Sequence, residues 1–128
     1  MTQEKPTIDD LFSDSGPFDE AEVVKGLQPH ITIQKPSNSI FFKDTRLSTE
    51  QRILAYGLAK KLLKWKGLVE SETISAQEFH EKTGIKKGSV DPTFKALREK
   101  GLLVGKREYE IPAYKIHQII QMLHGKSK

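Results

Sequence analysis

The sequence contains no cysteine and no long apolar run, and both absences exclude classes of protein. Without cysteine among its 128 residues, the chain forms no disulfide and no thiolate site, which suits a reducing compartment. No stretch approaches the roughly 18 apolar residues of a membrane-spanning helix. The first residues, MTQEKPTIDD, also lack the apolar core of a secretory signal. We therefore expect a cytoplasmic protein with no membrane partner.

Charge is distributed unevenly along a chain that is long enough to bury a core as one compact domain. The net charge is only +4, and 36% hydrophobic with 30% charged residues is typical of a globular protein. Residues 1–30, however, hold seven acids against two lysines, whereas residues 86–107 hold seven cations against two acids. This asymmetry is expected of a protein that binds a polyanion, and an ordinary solvated surface explains it about equally well.

The N-terminal third predicts an extension followed by a hairpin. We interpret residues 1–30 as an acidic, partly disordered extension that carries a short apolar motif at Ile8, Leu11 and Phe12. Within it, DEAEVVKGL predicts a short helix with acids in its first turn. Residues 31–43 place two β-prone runs on either side of the turn-forming group KPSN, which predicts a short β-hairpin.

Helix signals become stronger from Ser48 onward. The run from Ser48 to Gln51 is a capping box, and the apolar spacing after it predicts a helix to about Lys66, ended by Gly67. A short strand is expected at residues 72–74. A second capping box, from Ser75 to Glu78, predicts a helix that stops at Thr83-Gly84.

The next helix is predicted over residues 89–100, with Ser89 as its N-cap and Gly101 as its stop. Its buried face is expected to consist of Val90, Phe94 and Leu97, spaced at i, i+4 and i+7. Residues 103–111 then predict two short strands around the basic turn Gly105-Lys106-Arg107.

A C-terminal helix is predicted over residues 113–124, with Pro112 at its start. It carries an apolar stripe that has two interpretations. The stripe either packs on the domain's own core or forms the contact of a homodimer, which two-fold readers of DNA require. The residues of the stripe are Ile116, Ile119, Ile120 and Leu123.

The order helix, short strand, helix, turn, helix and β-hairpin over residues 48–112 resembles the winged helix-turn-helix superfamily. The similarity is greatest to prokaryotic and archaeal regulator-type DNA-binding domains, and its clearest part is ISAQEFHEKTGIKKGSVDPTFKALREKGLLVGKREYEI. It covers about half of the chain. The resemblance implies an α+β fold in which residues 31–128 form one winged-helix domain. It also implies duplex DNA as the partner, although such folds serve as protein-docking modules too.

In a helix-turn-helix the second helix of the motif approaches the major groove, so helix 89–100 and the wing at residues 103–111 are the expected DNA contacts. Cations and hydroxyls on these elements are suited to phosphate oxygens. The candidate DNA-binding residues are Lys86, Lys87, Ser89, Thr93, Lys95, Arg98, Lys106 and Arg107.

Asp91 and Pro92 argue against base reading by that helix. With Ser89 as the N-cap they fall in the first turn, where an acid stabilises the helix and a missing N–H is tolerated. They nevertheless leave the N-terminal part of the predicted reading surface poor in hydrogen-bond donors. We therefore expect binding dominated by the DNA backbone. The predicted role is that of a transcriptional regulator or chromosome-associated factor, associated with the nucleoid if the source is prokaryotic.

No catalytic arrangement is visible, and we expect neither an enzyme nor a cofactor or metal. The four histidines are scattered along the chain. The alternative function is a protein-interaction winged helix within a larger complex, using the stripe at Ile116 and Ile120 and the N-terminal apolar motif. A protein partner for the acidic segment is also expected, and RNA stays open as a ligand beside DNA.

Overall fold

The computed structural model describes residues 20–124, which have an α+β architecture of helices and two separate antiparallel hairpins. No helix within this range is both long and apolar enough to cross a bilayer. In chain order the elements are α1 (Glu20–Leu27), β1 (Ile31–Gln34), β2 (Ser39–Phe42), α2 (Thr49–Trp65), α3 (Ala76–Thr83), α4 (Lys87–Glu99), β3 (Val104–Gly105), β4 (Tyr109–Glu110), a 3-10 turn (Ala113–Lys115) and α5 (Ile116–Leu123).

Helix α1 is part of the core. It is the helix that DEAEVVKGL predicts, and it packs against α2 and α5 with Val23 and Leu27 buried. The boundary predicted at residue 30 therefore falls inside the packed unit, because burying two large side chains ties residues 20–30 to the rest. Residues 1–19, with the motif at Ile8, Leu11 and Phe12, lie outside the described residues.

The first hairpin has the predicted position. Strand β1 pairs with β2 in a register that opposes Ile31 to Phe42 and Gln34 to Ser39. The Arg52 guanidinium of α2 lies 5.6 Å from the ring centre of Phe42 and donates to two backbone carbonyls of the following loop, which holds the hairpin against α2.

The capping box of α2 is confirmed in both directions. The Ser48 hydroxyl accepts the Gln51 N–H at 3.1 Å, and the Gln51 side chain accepts the Ser48 N–H at 2.9 Å. The middle of α2 is buried on all sides, and Gly57 allows this close packing. A Cβ on Gly57 would come 2.8 Å from the end of the Ile111 side chain just after β4, so a larger residue there would push this buried side chain aside.

A row of aromatic rings joins the elements around α4. Phe79 of α3 packs edge-on against Tyr56 of α2 at 5.4 Å and against Phe94 of α4 at 6.0 Å. Phe94 lies 5.1 Å from Tyr109 of β4. Each such pair contributes about 0.5–1.5 kcal/mol beyond its buried area. The strand predicted at residues 72–74 is reduced to a single bridge in which Ile74 pairs with Tyr109.

The apolar stripe of α5 packs on the chain's own core. All four of its residues are buried, and α5 contacts α1 and α2. The interpretation as a core-packing face is confirmed. The homodimer contact predicted for this stripe is wrong, because the side chains that would form it are already covered. The same burial removes Ile116 and Ile120 as a surface for the alternative protein-interaction function.

Candidate nucleic-acid interface

The turn between α3 and α4 has a defined geometry. Helix α3 begins at the predicted cap, where the Ser75 hydroxyl accepts the Glu78 N–H at 3.0 Å, although the Glu78 side chain turns instead to Tyr56 and Lys60. The helix ends at Thr83, with Gly84 in the left-handed conformation at φ 78°. The His80 ring Nδ1 donates to the Ile85 carbonyl oxygen at 2.7 Å and so closes the turn. The layout is compatible with a helix-turn-helix.

Helix α4 begins earlier than predicted. Its first helical residue is Lys87 and its N-cap is Lys86, which makes no side-chain capping bond. Ser89 is the third helical residue, so its prediction as the N-cap is wrong. A serine cap is worth only about 0.5–2 kcal/mol. The helix starts earlier because the Lys86 carbonyl oxygen already accepts the Val90 N–H at 3.1 Å, one turn before the predicted start.

The earlier start also moves Asp91 and Pro92 out of the first turn. Asp91 is the fifth helical residue, and its carboxylate lies 3.8 Å from the Lys87 ammonium one turn before it. Pro92 is the sixth residue and has no N–H for the Gly88 carbonyl oxygen. The next carbonyl, that of Ser89, accepts the Thr93 hydroxyl at 2.6 Å. The first-turn prediction for both residues is therefore wrong, and Asp91 partly neutralises a candidate DNA-contacting lysine.

The predicted faces of α4 are present. Val90, Phe94 and Leu97 are buried, whereas the polar candidates are exposed except for Thr93, which is half-buried. Of the six candidate cations, only Lys87 has an ion-pair partner among residues 20–124. The nearby Lys100, in contrast, is held by Glu50 at 2.6 Å. The cations without such a partner are Lys86, Lys95, Arg98, Lys106 and Arg107.

The wing is a minimal hairpin. Strand β3 pairs with β4 through Val104 opposite Glu110 and Gly105 opposite Tyr109, so the predicted strands shrink to two residues each. Gly105 has φ 126°, and a Cβ there would collide with the Glu108 carbonyl oxygen, so this turn requires glycine. The ring contact between Tyr109 and Phe94 fixes the base of the wing beside α4, and its turn exposes Lys106 and Arg107.

A carboxyl pair at the base of the wing has no signal in the sequence. Lys61 of α2 is buried and lies 3.1 Å from Glu72. A hydrogen bond between Glu110 and Glu72, together with burial and the Glu72 charge, raises the pKa of the Glu110 carboxyl. The same hydrogen bond lowers the pKa of the Glu72 carboxyl, and the nearby Lys61 ammonium lowers it further. The three side chains come together from α2, the segment before α3 and β4, positions that are 11 and 38 residues apart along the chain.

Replacing Glu110 by glutamine is expected to raise the free energy of unfolding near neutral pH by about 0.5–1.5 kcal/mol, because the amide still donates to Glu72 and carries no charge. Because folding raises the pKa of Glu110, its protonated carboxyl stabilises the folded state fully below the pKa of the unfolded chain. This stabilisation is lost as the pH rises through the pKa of the folded state. The gain should therefore shrink at about pH 4. Urea unfolding at both pH values measures it.

The control for this substitution is Glu99→Gln, which removes an exposed carboxylate without an ion pair among residues 20–124 and should change stability by less than about 0.5 kcal/mol. An equal gain from Glu110→Gln at acidic and neutral pH would contradict the hydrogen bond between the Glu110 and Glu72 carboxyl groups.

A second cluster that sequence reasoning missed involves two of the histidines. The His30 and His124 ring centres are 5.9 Å apart, although the residues are distant in sequence. His30 is buried, and its Nδ1 lies 3.5 Å from the Asp44 carboxylate without a hydrogen bond of good geometry. Burial lowers the pKa of His30, whereas the Asp44 carboxylate acts to raise it. Within residues 20–124, no three His, Cys, Asp or Glu side chains are placed to hold a metal ion.

Compared with models of known families, with curated proteins and with solved structures, the chain matches none of them. The candidate interface therefore depends on the positions of the chain's own residues.

Proposed function

We propose that this chain is a winged-helix protein that binds duplex DNA through α4 and the wing, as a transcriptional regulator or a chromosome-associated factor. The observation that carries the proposal is the set of exposed cations on these two elements. Lys95 and Arg98 on α4 and Lys106 and Arg107 on the wing have no ion-pair partner among residues 20–124. Such cations are suited to phosphates, since no existing pair has to be broken.

Contacts to the DNA backbone are favoured over base reading. Gly88, Asp91 and Pro92 occupy exposed positions in the first half of α4, the part that meets base edges in helix-turn-helix complexes. None of the three side chains donates a hydrogen bond, and Asp91 is repelled by phosphate. Affinity should therefore depend weakly on DNA sequence and strongly on salt.

The test is a titration of a fluorescently labelled duplex of random sequence, followed by anisotropy at several salt concentrations. The logarithm of the affinity should fall linearly with the logarithm of the salt concentration. No binding even at about 50 mM salt would refute the proposal and favour a protein-docking role. An unlabelled RNA duplex of the same sequence serves as a competitor and distinguishes the two nucleic acids. If it displaces the labelled duplex more effectively than unlabelled DNA does, RNA rather than DNA is the ligand.

Replacing Asp91 by lysine is expected to tighten binding of the random duplex several-fold, because it removes a repulsive carboxylate, frees Lys87 and adds a cation. The salt dependence should steepen by about one additional phosphate contact. Glu70→Lys is the matched control, since Glu70 is exposed in the loop after α2 and lies on neither α4 nor the wing. Equal tightening by both variants would mean that net charge alone matters and that α4 does not face DNA.

A further inference from the structure

A cavity of about 220 Å³ lies between the turn of the β1–β2 hairpin, α2 and α3. None of its lining residues belongs to α4 or the wing. Its lining is mixed: the apolar side chains of Ile40, Phe41, Leu63 and Val69 lie beside polar side chains from the hairpin turn, α2 and α3. A cavity of about 150 Å³ is large enough for benzene, so the volume of this one suffices for a phenyl ring or a branched aliphatic side chain.

Apolar surface continues from this cavity to the loop after α2. Phe41 is 49% exposed and Leu68 is 53% exposed. The Asn38 amide of the hairpin turn donates to the Leu68 carbonyl oxygen at 3.4 Å, so the loop and the hairpin lie side by side. We call the cavity and Leu68 together the hairpin groove.

The rim of the hairpin groove is positively charged. Glu78 is its acid, and that carboxylate is already occupied by Lys60 and the Tyr56 hydroxyl, each at 3.0 Å. Lys82 is exposed and has no ion-pair partner among residues 20–124. Beside the groove, the Lys64 ammonium donates to the Glu70 carbonyl oxygen at 3.1 Å, and its charge also acts on the Glu72 carboxylate, so Lys82 is the rim cation that pairs with no acid among the described residues. An occupant that is both apolar and acidic is therefore the best complement.

We propose that the hairpin groove binds residues 8–12 of the same chain, Ile8-Asp9-Asp10-Leu11-Phe12. This motif combines three large apolar side chains with two carboxylates, and residues 1–19 as a whole hold five acids against one lysine. Phe12 or Leu11 occupies the cavity, and Asp9 and Asp10 face Lys82 and Lys64.

The point where residues 1–19 join the described structure supports this occupant. The Glu20 carboxylate lies 3.6 Å from the Lys66 ammonium, at the C-terminal end of α2 and two residues before Leu68. Residues 13–19 connect Phe12 to Glu20 and can extend over about 25 Å, so the chain length is sufficient for the motif to reach the groove from Glu20. This docking is independent of DNA binding.

Because the chain has no cysteine, Ser13→Cys provides a single site for a nitroxide label in the full-length protein. The amide NMR signals of Phe41, Val69 and Lys82 are expected to lose most of their intensity beside the label. Leu11→Ala with Phe12→Ala should restore the signals, and Lys82→Glu should restore them in part. Lys43→Glu is the matched control: Lys43 is an exposed lysine on a separate groove beside α1 and β1, and its replacement should leave the broadening unchanged.

Four results would overturn the proposal. Unaffected signals would leave the groove for a separate partner, and broadening centred on Ile33 and Leu62 would place the motif in the groove beside α1. Broadening centred on Lys95 and Arg98 would place the acidic segment on the candidate DNA face. Broadening of an isotope-labelled chain mixed with an unlabelled, nitroxide-bearing chain would identify a second copy as the source of the motif.

Discussion

The double substitution Lys95→Ala with Arg98→Ala is expected to lower the affinity for a random DNA duplex by roughly tenfold or more at low salt, because each cation that meets a phosphate contributes a charge-assisted contact. It should also make the salt dependence shallower by about two phosphate contacts. Both residues are exposed on α4 and have no ion-pair partner among residues 20–124, so their loss should leave the fold intact. Anisotropy titrations over a range of salt concentrations measure affinity and slope together.

The matched control is Lys25→Ala with Lys43→Ala. These lysines are also exposed and also lack an ion pair within the described part of the chain, but they lie on α1 and just after β2. The control removes the same net charge, so it should reproduce the small effect of long-range attraction and leave the slope nearly unchanged. If the α4 variant and the control variant change the salt slope of the affinity equally, the DNA binds another face of the protein.

The second large effect is on stability. Phe94→Ala is expected to lower the free energy of unfolding by about 3–5 kcal/mol, the range for removing a fully buried phenyl ring. Phe94 is 1% exposed, and its ring contacts Phe79 of α3 and Tyr109 of β4. One substitution therefore loosens the packing of α4 against both α3 and the wing. Urea denaturation followed by circular dichroism measures the loss.

Tyr114→Ala is the control for this substitution, because Tyr114 is 80% exposed and its removal should change stability by less than about 0.5 kcal/mol. Phe94→Leu should lose less than Phe94→Ala, since leucine fills part of the cavity. Equal losses from alanine and leucine would mean that specific ring contacts matter more than filled volume. A loss below about 1 kcal/mol from Phe94→Ala would contradict the placement of α4 against α3 and the wing.

Where local signals act within a few residues, the sequence alone predicts the structure. The capping box at Ser48 fixes the start of α2 because its donors and acceptors are three residues apart. The spacing of Val90, Phe94 and Leu97 likewise predicts the buried face of α4, since helical periodicity places them on one side. The exposure of Lys95 and Arg98 follows directly from that face.

The start of α4 was not predictable in this way. Ser89 is a good local cap, but its preference of about 1 kcal/mol does not fix the start of the helix, because the Val90 N–H already donates to the Lys86 carbonyl oxygen one turn earlier. Asp91 and Pro92 consequently lie in the second turn of the helix, and the pairing of Asp91 with Lys87 follows from that shift.

Contacts between distant segments were also decided only by the tertiary structure. The buried Lys61 with its carboxyl pair, and the approach of His30 to His124, bring together side chains that no spacing connects. The stripe on α5 shows the same division. Its periodicity determined that Ile116, Ile119, Ile120 and Leu123 share one face, because a helix repeats every 3.6 residues. That the chain's own core covers this face, rather than a second copy, depended on α1 and α2 packing against it, because burial depends on which elements meet in space.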